Sequence, residues 1–524
     1  MPPPSVRQRI LVAGGGLAGI VAALRLAGPD REVVLVEAGP RLGGRAGSAR
    51  VDGRDEDHSY HIAFPWYRNL LALITEVGVR DGWVASPAYH QLVAGEFPRY
   101  RPYRAVGTSI TDFIGGLRTG VLPPAEGFLY FYFMIDSIVR ARRTLARPDT
   151  SVDHALATRW YATPALRGEL NRIFVTGHGT PTDRFSVHTW LRFLPGFAHY
   201  PGPMYWIPRG SLHETLVAPL ARRLVAQGVV VRTGWRVQAI DTADGRASVV
   251  HLSTADGPVS LDTDQVVLAL PARTVSDLAG DAVDLAGLDR QRIRALVHRP
   301  VPALHLHLRT RLAGLPAEHV ALVESQYALS LIDVGMHRAG GTTSCLNIVV
   351  GAPGALVAAP AEQATAAVVE EARRFLPGLD PADVTAAVWQ PHADAPLFSN
   401  EVGSWADRPG TRTRLPNLVL AGDWVRSFVD VASMEGAVVT GLLAAEAVRV
   451  AGGLPDPPIP VTALSVRPTV AAVVSRAVLA PLAVAAYRRS HQGQGRRSLD
   501  ARVRHRGGGR RPSRLEQSTT DTGR

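Results

Sequence analysis

The sequence predicts an α/β protein: a parallel sheet assembled from separated stretches of chain, beside an α+β region of mixed or antiparallel sheet and helices. Three observations predict the parallel sheet. Residues 10–13, 266–270 and 418–421 are short, uniformly apolar runs, as expected for strands buried on both faces. Each run is followed at once by glycine or proline, as expected where the tip of a strand meets a ligand. A chain of 524 residues is long enough for both regions.

The first stretch, residues 9–45, carries the strongest local pattern. It reads RILVAGGGLAGIVAALRLAGPDREVVLVEAGPRLGGR. The apolar run is followed by the glycine pattern G-x-G-x-x-G and by an Ala/Leu-rich helix over residues 17–26. A second strand over residues 33–36 ends at Glu37. Strand, glycine pattern, helix and acidic residue stand in the order typical of a Rossmann-like dinucleotide site.

Each residue of this pattern has a physical role. Gly14 permits the tight turn, Gly16 lets the backbone approach a pyrophosphate, and Gly19 lets the helix pack closely on the strand. Ala18 lies in the first turn of the helix, whose unpaired N–H groups attract the anion. We expect Glu37 to accept a hydrogen bond from a ribose hydroxyl.

The continuation after Glu37 distinguishes between two dinucleotides. Residues 37–45 follow the pattern E-x-x-x-R-x-G-G-R. This run resembles the flavin amine oxidase and phytoene desaturase superfamily, in which the arginine and glycines continue along FAD. The resemblance implies that Gly43, Gly44 and Arg45 bind FAD. A nicotinamide dehydrogenase has no reason to repeat this run, and a second G-x-G-x-x-G for NAD(P)H is absent from the sequence.

Two later segments resemble the same superfamily. Residues 208–237 combine a helix with a strand that returns to the sheet, and residues 416–450 combine the run PNLVLAGDW with a helix. The N-terminus of that second helix can stabilise negative charge on a flavin. In the superfamily the matching positions contact the adenine, the ribityl-pyrophosphate and the isoalloxazine. The contacts that the resemblance implies here are Val237, Gly422, Asp423, Met434 and Gly436.

These segments predict a discontinuous domain organisation. The expected Rossmann-like FAD-binding domain comprises residues 1–63, 205–275 and 415–452, and the expected substrate domain comprises residues 64–204 and 276–414. Proline-rich residues 455–460 mark the domain end. An apolar segment, 453–490, and an Arg-rich tail, 491–524, lie outside the resemblance. The composition of the tail is typical of disorder.

Three side chains are candidates for catalytic roles. The run Asp57-His-Ser-Tyr-His61 matches a D-x-x-x-H loop of the superfamily, although Ser59 stands where glycine is usual. We expect Asp57 and His61 to form a polar pair near the isoalloxazine; a turn with solvated charges is the alternative. Glu435 is a candidate to support the flavin. None of the three has the spacing of a nucleophile with its base.

The resemblance narrows the substrate. Amine oxidases of the superfamily typically place a lysine near flavin N5, and this sequence contains no lysine. The signatures look closer to phytoene and carotenoid desaturases, so we expect an FAD-dependent oxidoreductase that transfers hydride from an apolar isoprenoid to the flavin. Oxygen or a quinone would accept the electrons. The alternatives are an amine oxidase, a non-redox carotenoid isomerase that uses reduced FAD, and a flavin-free scaffold.

Charge bears on the partners and the location. The net charge is +11, and much of it lies in residues 488–514 rather than in an aromatic-interleaved basic motif, which argues against nucleic acid as a partner. No window is apolar without interruption over about 20 residues, because Arg476 and Pro481 break the nearest one, residues 469–487. Two interpretations of the C-terminal part stay open: a peripheral anchor on the inner face of the cell membrane, or a packed helix with a disordered tail.

The cysteine and histidine residues of the sequence predict neither a disulfide nor a metal site. Cys345 is the only cysteine, so a disulfide within the chain is impossible, which fits a reducing cytoplasm. His305 and His307 alternate on one predicted strand and therefore point the same way. No third ligand follows at a suitable spacing, so the sequence predicts no metal site.

Overall fold

The computed structural model describes residues 7–103, 122–200, 202–338, 344–464 and 470–507, and the structural statements below refer to them. A five-stranded sheet, parallel throughout, forms one layer. Its strands, in spatial order, are Leu418–Leu420, Gln265–Leu268, Gln8–Ala13, Arg31–Glu37 and Val230–Thr233. The predicted α/β class is confirmed, and all five strands come from the stretches that predicted the FAD-binding domain.

Two helices pack on one face of this sheet and on each other. Helix Leu17–Leu26 has the bounds that the sequence predicts, and helix Met434–Ala451 follows the strand at the sheet edge. Their contact is close because both carry small residues: a Cβ built on Gly441 would lie 2.4 Å from the carbonyl oxygen of Ala18. Gly19 is equally constrained, since its Cβ would lie 1.9 Å from the carbonyl oxygen of Gly14.

A seven-stranded sheet forms the core of the second region. It is antiparallel except for one parallel pair, Val320–Val323 with Tyr89–Val93, which joins the two chain segments predicted for the substrate domain. Helix Ala361–Arg373 covers part of it. The strands in order are Val384–Gln390, Ala303–Leu308, Ser344–Val350, Leu329–Asp333, Val320–Val323, Tyr89–Val93 and Arg101–Tyr103.

Smaller sheets connect these layers. A three-stranded antiparallel sheet is formed by Arg236–Ala243, Arg246–Thr254 and Gly257–Asp262. A hairpin is formed by Ser48–Val51 and Arg54–Asp57. Two further antiparallel pairs are Trp83–Ser86 with Tyr205–Pro208, and His298–Arg299 with Leu397–Phe398.

Further helices complete both regions. Ser151, Thr163 and Ser186 each cap the helix that follows with their side-chain oxygen, which explains where three of the helices begin. The helices before the second half of the parallel sheet are Arg68–Glu76, Pro124–Leu145, Val152–Ala157, Pro164–His178, Val187–His199 and Ala218–Ala226. The short later helices are Ala272–Asp277, Ala282–Leu285, Arg290–Ala295 and Ser404–Asp407.

The last helix, Val470–Gly507, differs from the sequence-based expectation. It packs along Pro124–Leu145, where Arg476 bonds Asp136 and Ser490 bonds Glu126. The helix continues through residues predicted to be a disordered tail from 491 onward, and residues 508–524 lie outside the described part. Over Val470–Gln492 it is long and apolar enough to cross a bilayer by length and composition, and only 11% of its apolar stretch is buried. Arg476 does not interrupt the outer face, because it turns toward Asp136.

Candidate active site

A cavity of about 1260 Å³ lies at the carboxyl ends of the parallel strands. Ligands bind at this edge in open α/β sheets. The structure brings most of the residues predicted to bind FAD into the lining of this single cavity. They are Gly14, Gly16, Ala18, Glu37, Gly43, Gly44, Arg45, Val237, Gly422, Asp423 and Met434.

The glycines form one part of the lining, which we call the glycine-lined part: Gly14, Gly16, Gly43, Gly44 and Gly422. Gly14 has φ +105°, a conformation that residues with a Cβ rarely adopt. A Cβ on Gly16 would meet nothing within 4 Å and would project into open space. Gly16 and Gly43 lie side by side as a parallel bridge, and both line the cavity. The arrangement leaves room for a pyrophosphate beside the N-terminus of helix Leu17–Leu26.

Two glycines predicted as cofactor contacts have a different position. Gly19 and Gly436 are outside the cavity lining. Gly19 packs against the backbone of Gly14, and the N–H of Gly436 donates to the Ser433 hydroxyl at 3.1 Å. Both therefore shape the site from behind it, because each is needed for a close approach of backbone to backbone.

Glu37 ends its strand beside the glycine turn. Its two carboxylate oxygens accept hydrogen bonds from the backbone N–H groups of Gly15 and Gly39, each at 2.7 Å. A carboxylate oxygen has two lone pairs, so each can still accept from a ribose hydroxyl. The side chain lines the cavity and is held in place by the turn, which fits the predicted role.

Arg45 and Asp423 connect two distant segments at the cavity wall. The guanidinium of Arg45 lies 2.5 Å from a carboxylate oxygen of Asp423 and donates to the carbonyl of Pro396 at 3.1 Å. Asp423 follows the edge strand of the parallel sheet. The ion pair holds both side chains in place. Each side chain also has more donors or lone pairs than this contact uses, so it keeps hydrogen-bonding capacity for a ligand.

The N-terminus of helix Met434–Ala451 also faces the cavity. Ser433 caps it, and Ser433, Met434 and Ala437 contribute to the lining. The partial positive charge of a helix N-terminus stabilises an anion within its first turn. This end of the helix is therefore placed to stabilise negative charge on a ligand in the cavity.

Aromatic side chains form a second part of the lining, which we call the aromatic wall. Their rings contact one another edge to face or stacked; Phe64 and Phe197, for example, have centroids 5.0 Å apart. The wall is drawn from a loop and three helices. Its members are Phe64, Trp66, Tyr67, Tyr130, Phe174, Trp190, Phe193 and Phe197.

His61 lines the cavity as a neutral imidazole. Burial lowers its pKa, and the positive charge of Arg45 lowers the pKa further. Its Nδ1 lies 2.8 Å from the carbonyl oxygen of Ser59, which can only accept, so Nδ1 carries the proton and Nε2 is the acceptor. His61 therefore lines the cavity, and its placement near the isoalloxazine stays a prediction.

Asp57 and Glu435 do not reach the cavity, which argues against the catalytic roles that the sequence predicted. Asp57 accepts from the Ser48 hydroxyl at 2.5 Å and from the N–H of Leu212 at 3.0 Å, and burial raises its pKa to about 6. Glu435 accepts from backbone N–H groups at the start of helix Arg68–Glu76, 2.8–3.0 Å away. Both carboxylates hold neighbouring elements in place instead.

Other residues of the site were missed. His58 lines the cavity, and its ring stacks on that of His392, which is not part of the lining, at 3.4 Å between centroids; burial lowers the pKa of both. No local sequence pattern predicts this contact, because the two histidines are 334 residues apart along the chain. A polar part of the lining was also missed. It consists of Tyr89, His90, Gln91, Arg172 and His319.

Comparison with known proteins gives three informative matches. A carotenoid phi-ring synthase of Streptomyces griseus is 28% identical over 85% of this chain and 90% of its own length. A zeta-carotene desaturase of Synechocystis is 24% identical over 84% of this chain and 97% of its own length. The structure of a cyclohexylamine oxidase from Brevibacterium oxydans aligns over its whole length with 86% of this chain, with a TM-score of 0.60 and 17% identity. This similarity shows a shared fold.

The family assignment follows from a match over most of the sequence. The sequence model of the flavin containing amine oxidoreductases matches residues 17–449. The open space at Gly16, the anchored carboxylate of Glu37 and the helix N-terminus at Met434 fit FAD, the cofactor that this family implies. The chain therefore belongs to the flavin containing amine oxidoreductase family and is an FAD-dependent oxidoreductase.

Proposed function

We propose that this oxidoreductase desaturates an apolar isoprenoid or carotenoid-type substrate. The observation that carries the proposal is the aromatic wall, whose eight side chains share a cavity with the glycine-lined part. Such a wall binds a hydrocarbon chain through burial of apolar surface and through contacts with ring faces. The carotenoid enzymes among the relatives support the same class of substrate.

The residues of the chain would divide the reaction between them. FAD, when bound, supplies a hydride acceptor for a C–H bond of the substrate. The aromatic wall holds the chain and excludes water from it. The neutral Nε2 of His61 accepts the proton that leaves the neighbouring carbon, so the substrate loses two hydrogens and gains one double bond. The N-terminus of helix Met434–Ala451 would stabilise negative charge on a cofactor held in the cavity.

A peripheral membrane contact would bring such a substrate to the enzyme. Helix Val470–Gly507 exposes an apolar stripe at a spacing of four residues: Val470, Val474, Val478 and Leu482 are each at least half exposed. Arg488 and Arg489 follow it on the surface and complement anionic head groups. The stripe lies on the outside of helix Pro124–Leu145, whose Tyr130 belongs to the aromatic wall. The inner face of the cell membrane is the location that this arrangement favours.

Anaerobic bleaching of the flavin tests the substrate class. Protein loaded with FAD is mixed with isoprenoids in detergent and, separately, with amines, while flavin absorbance is followed. The amine panel is necessary because aromatic rings also attract cations. Bleaching by an isoprenoid, with a product two hydrogens lighter, supports the proposal, and bleaching by amines alone overturns it. If the product is an isomer of unchanged mass, and if it forms only when the flavin is reduced beforehand, the protein is an isomerase instead.

A further inference from the structure

A cluster of metal-ligand side chains lies outside the cavity lining, on one face of the seven-stranded sheet. It consists of Glu56, His305, His307 and Cys345, which are all at least nine-tenths buried. We propose that this cluster is a structural site for a divalent metal ion, with zinc as the ion that its nitrogen, sulfur and oxygen donors suit best. The inference is independent of the substrate proposed above.

The strand register brings three of the four side chains together. His305 and His307 project from the same face of strand Ala303–Leu308 because the side-chain period of a strand is two. Cys345 pairs directly with His307 on the neighbouring strand. Glu56 comes from the hairpin strand Arg54–Asp57, which lies over this face. Ligands thus arrive from three separate strands.

The distances approach those of a tetrahedral site. The donor atoms around zinc lie about 3.3–3.8 Å from one another when metal–ligand bonds are about 2.0–2.3 Å. Cys345 Sγ lies 3.8 Å from His307 Nε2, and His305 Nδ1 lies 3.1 Å from Glu56 Oε2. The ligand atoms of Glu56, His305 and Cys345 all lie within 4.8 Å of one another. The contact of 2.6 Å between His307 Nε2 and Glu56 Oε1 is the one that must open on binding, by about 0.7 Å.

Hydrogen bonds alone leave this cluster incompletely satisfied. Among the described residues, Glu56 Oε2 contacts His305 Nδ1 at 3.1 Å but without the geometry of a hydrogen bond, and Asn347 Oδ1 beside His305 has no partner. A buried polar atom without a partner costs free energy, which a metal ion bound to Glu56 would recover. Gln390 Nε2 lies 3.3 Å from His305 Nε2 and donates to the carbonyl of Asp57, so this side chain connects His305 to the hairpin strand that carries Glu56.

The ion would fasten two parts of the molecule. The hairpin that carries Glu56 leads directly into His58 and His61 of the cavity lining, whereas the other three ligands belong to the seven-stranded sheet. Four protein ligands would leave no open position, which is typical of a structural rather than a catalytic site. The sequence did not predict it because Glu56 and Cys345 are far from the histidine pair along the chain.

Metal analysis of the FAD-loaded protein tests the proposal. Untagged protein, purified without chelator, is analysed for zinc, and a portion is depleted and titrated with Zn²⁺ and with Co²⁺. We expect about one zinc per chain, a loss of about 3 °C in the unfolding midpoint on depletion, and visible cobalt–thiolate absorption. Cys345→Ser should abolish that absorption, and His307→Gln should lower zinc affinity at least tenfold.

A matched control and a clear negative outcome accompany this test. His251→Gln removes a half-exposed histidine on the three-stranded sheet and should change neither zinc content nor the cobalt spectrum. Folded, FAD-loaded protein that contains no zinc, and that binds Zn²⁺ more weakly than about 10 µM, would show a hydrogen-bonded cluster only. A cobalt spectrum that is the same in Cys345→Ser as in the unchanged protein also overturns the proposal. Flavin content is measured in the same samples and reports on the cofactor site separately.

Discussion

The glycine-lined part and the aromatic wall face the same cavity but are built differently. The first consists of backbone at Gly14, Gly16 and Gly43: Gly16 opens onto free space because it carries no side chain, and Gly14 and Gly43 let the backbone pack closely around it. The second consists of side chains that four separate elements direct inward, among them Trp66 and Phe193. A surface of backbone recognises a constant group such as a pyrophosphate, whereas a wall of side chains can change its shape with each substitution. The cofactor is accordingly the better-determined partner of this cavity.

The largest expected effect is the loss of FAD when one residue of the glycine-lined part is replaced. Gly16→Val should fold, because its Cβ meets nothing within 4 Å, but it should weaken FAD binding at least a thousandfold, about 4 kcal/mol, since the new side chain occupies the pyrophosphate position. Gly19→Ala should instead destabilise the whole protein by about 3 kcal/mol or more, because its Cβ would overlap the backbone of Gly14. Flavin content and thermal unfolding distinguish the two outcomes.

Gly168→Ala is the control for both variants. Gly168 lies within helix Pro164–His178 with open space around its Cβ position. The substitution should retain flavin and raise stability by about 0.5–1 kcal/mol. If Gly16→Val bound FAD as tightly as Gly168→Ala does, the pyrophosphate would lie elsewhere.

A second prediction extends the comparison to the outer surface. Replacing Val474 and Val478 with glutamate should reduce binding to phosphatidylglycerol-containing vesicles about a hundredfold, since each valine contributes about 1.5 kcal/mol when buried in lipid. Vesicle flotation measures this binding. Val225→Glu, at a valine that is 65% exposed on another helix, should leave flotation unchanged. Equal flotation of the double variant would rule out this helix as the contact.

The third prediction concerns the aromatic wall. Phe197→Ala should raise the KM for an isoprenoid substrate about thirtyfold, near 2 kcal/mol, because a phenyl ring that would contact the hydrocarbon is lost. Flavin content should not change. Tyr327→Ala, at a half-buried aromatic residue on the core of the seven-stranded sheet, is the matched control and should keep the KM. A KM that is unchanged in Phe197→Ala would place the substrate against another part of the lining.

The same contrast explains what the sequence could reveal. The FAD site rests on interactions within a strand, a turn and a helix, so the bounds of helix Leu17–Leu26 and the position of Glu37 were predictable. An aromatic block such as the one in helix Pro124–Leu145 is more often core than ligand surface, so the sequence pattern favours a core and does not single out a residue that lines a cavity. In the structure Tyr130 lines the cavity, whereas Phe131 and Phe133 do not.

Contacts between distant segments were the least predictable. The stacking of His392 on His58 and the convergence of Cys345 on Glu56 depend on how the seven-stranded sheet packs against the hairpin. No spacing along the chain encodes that packing. Asp57 illustrates the same point in reverse: its place in a D-x-x-x-H loop predicted a catalytic role, but the fold turns it toward Ser48.

The smallest expected effect tests whether side chains take part in the chemistry at all. His61→Gln should lower the rate of substrate-dependent flavin reduction about tenfold, below the usual contribution of a general base, because positive charge on a polyene is delocalised. In the unchanged protein the rate should be constant at neutral pH and fall as acid protonates Nε2. This fall should lie below the ordinary pKa of histidine, since burial and Arg45 lower the pKa of His61. His61→Gln should lose this acid limb, and His251→Gln should keep it. If the limb persists in His61→Gln, the proton passes to another group, and the aromatic wall then contributes only binding to the reaction.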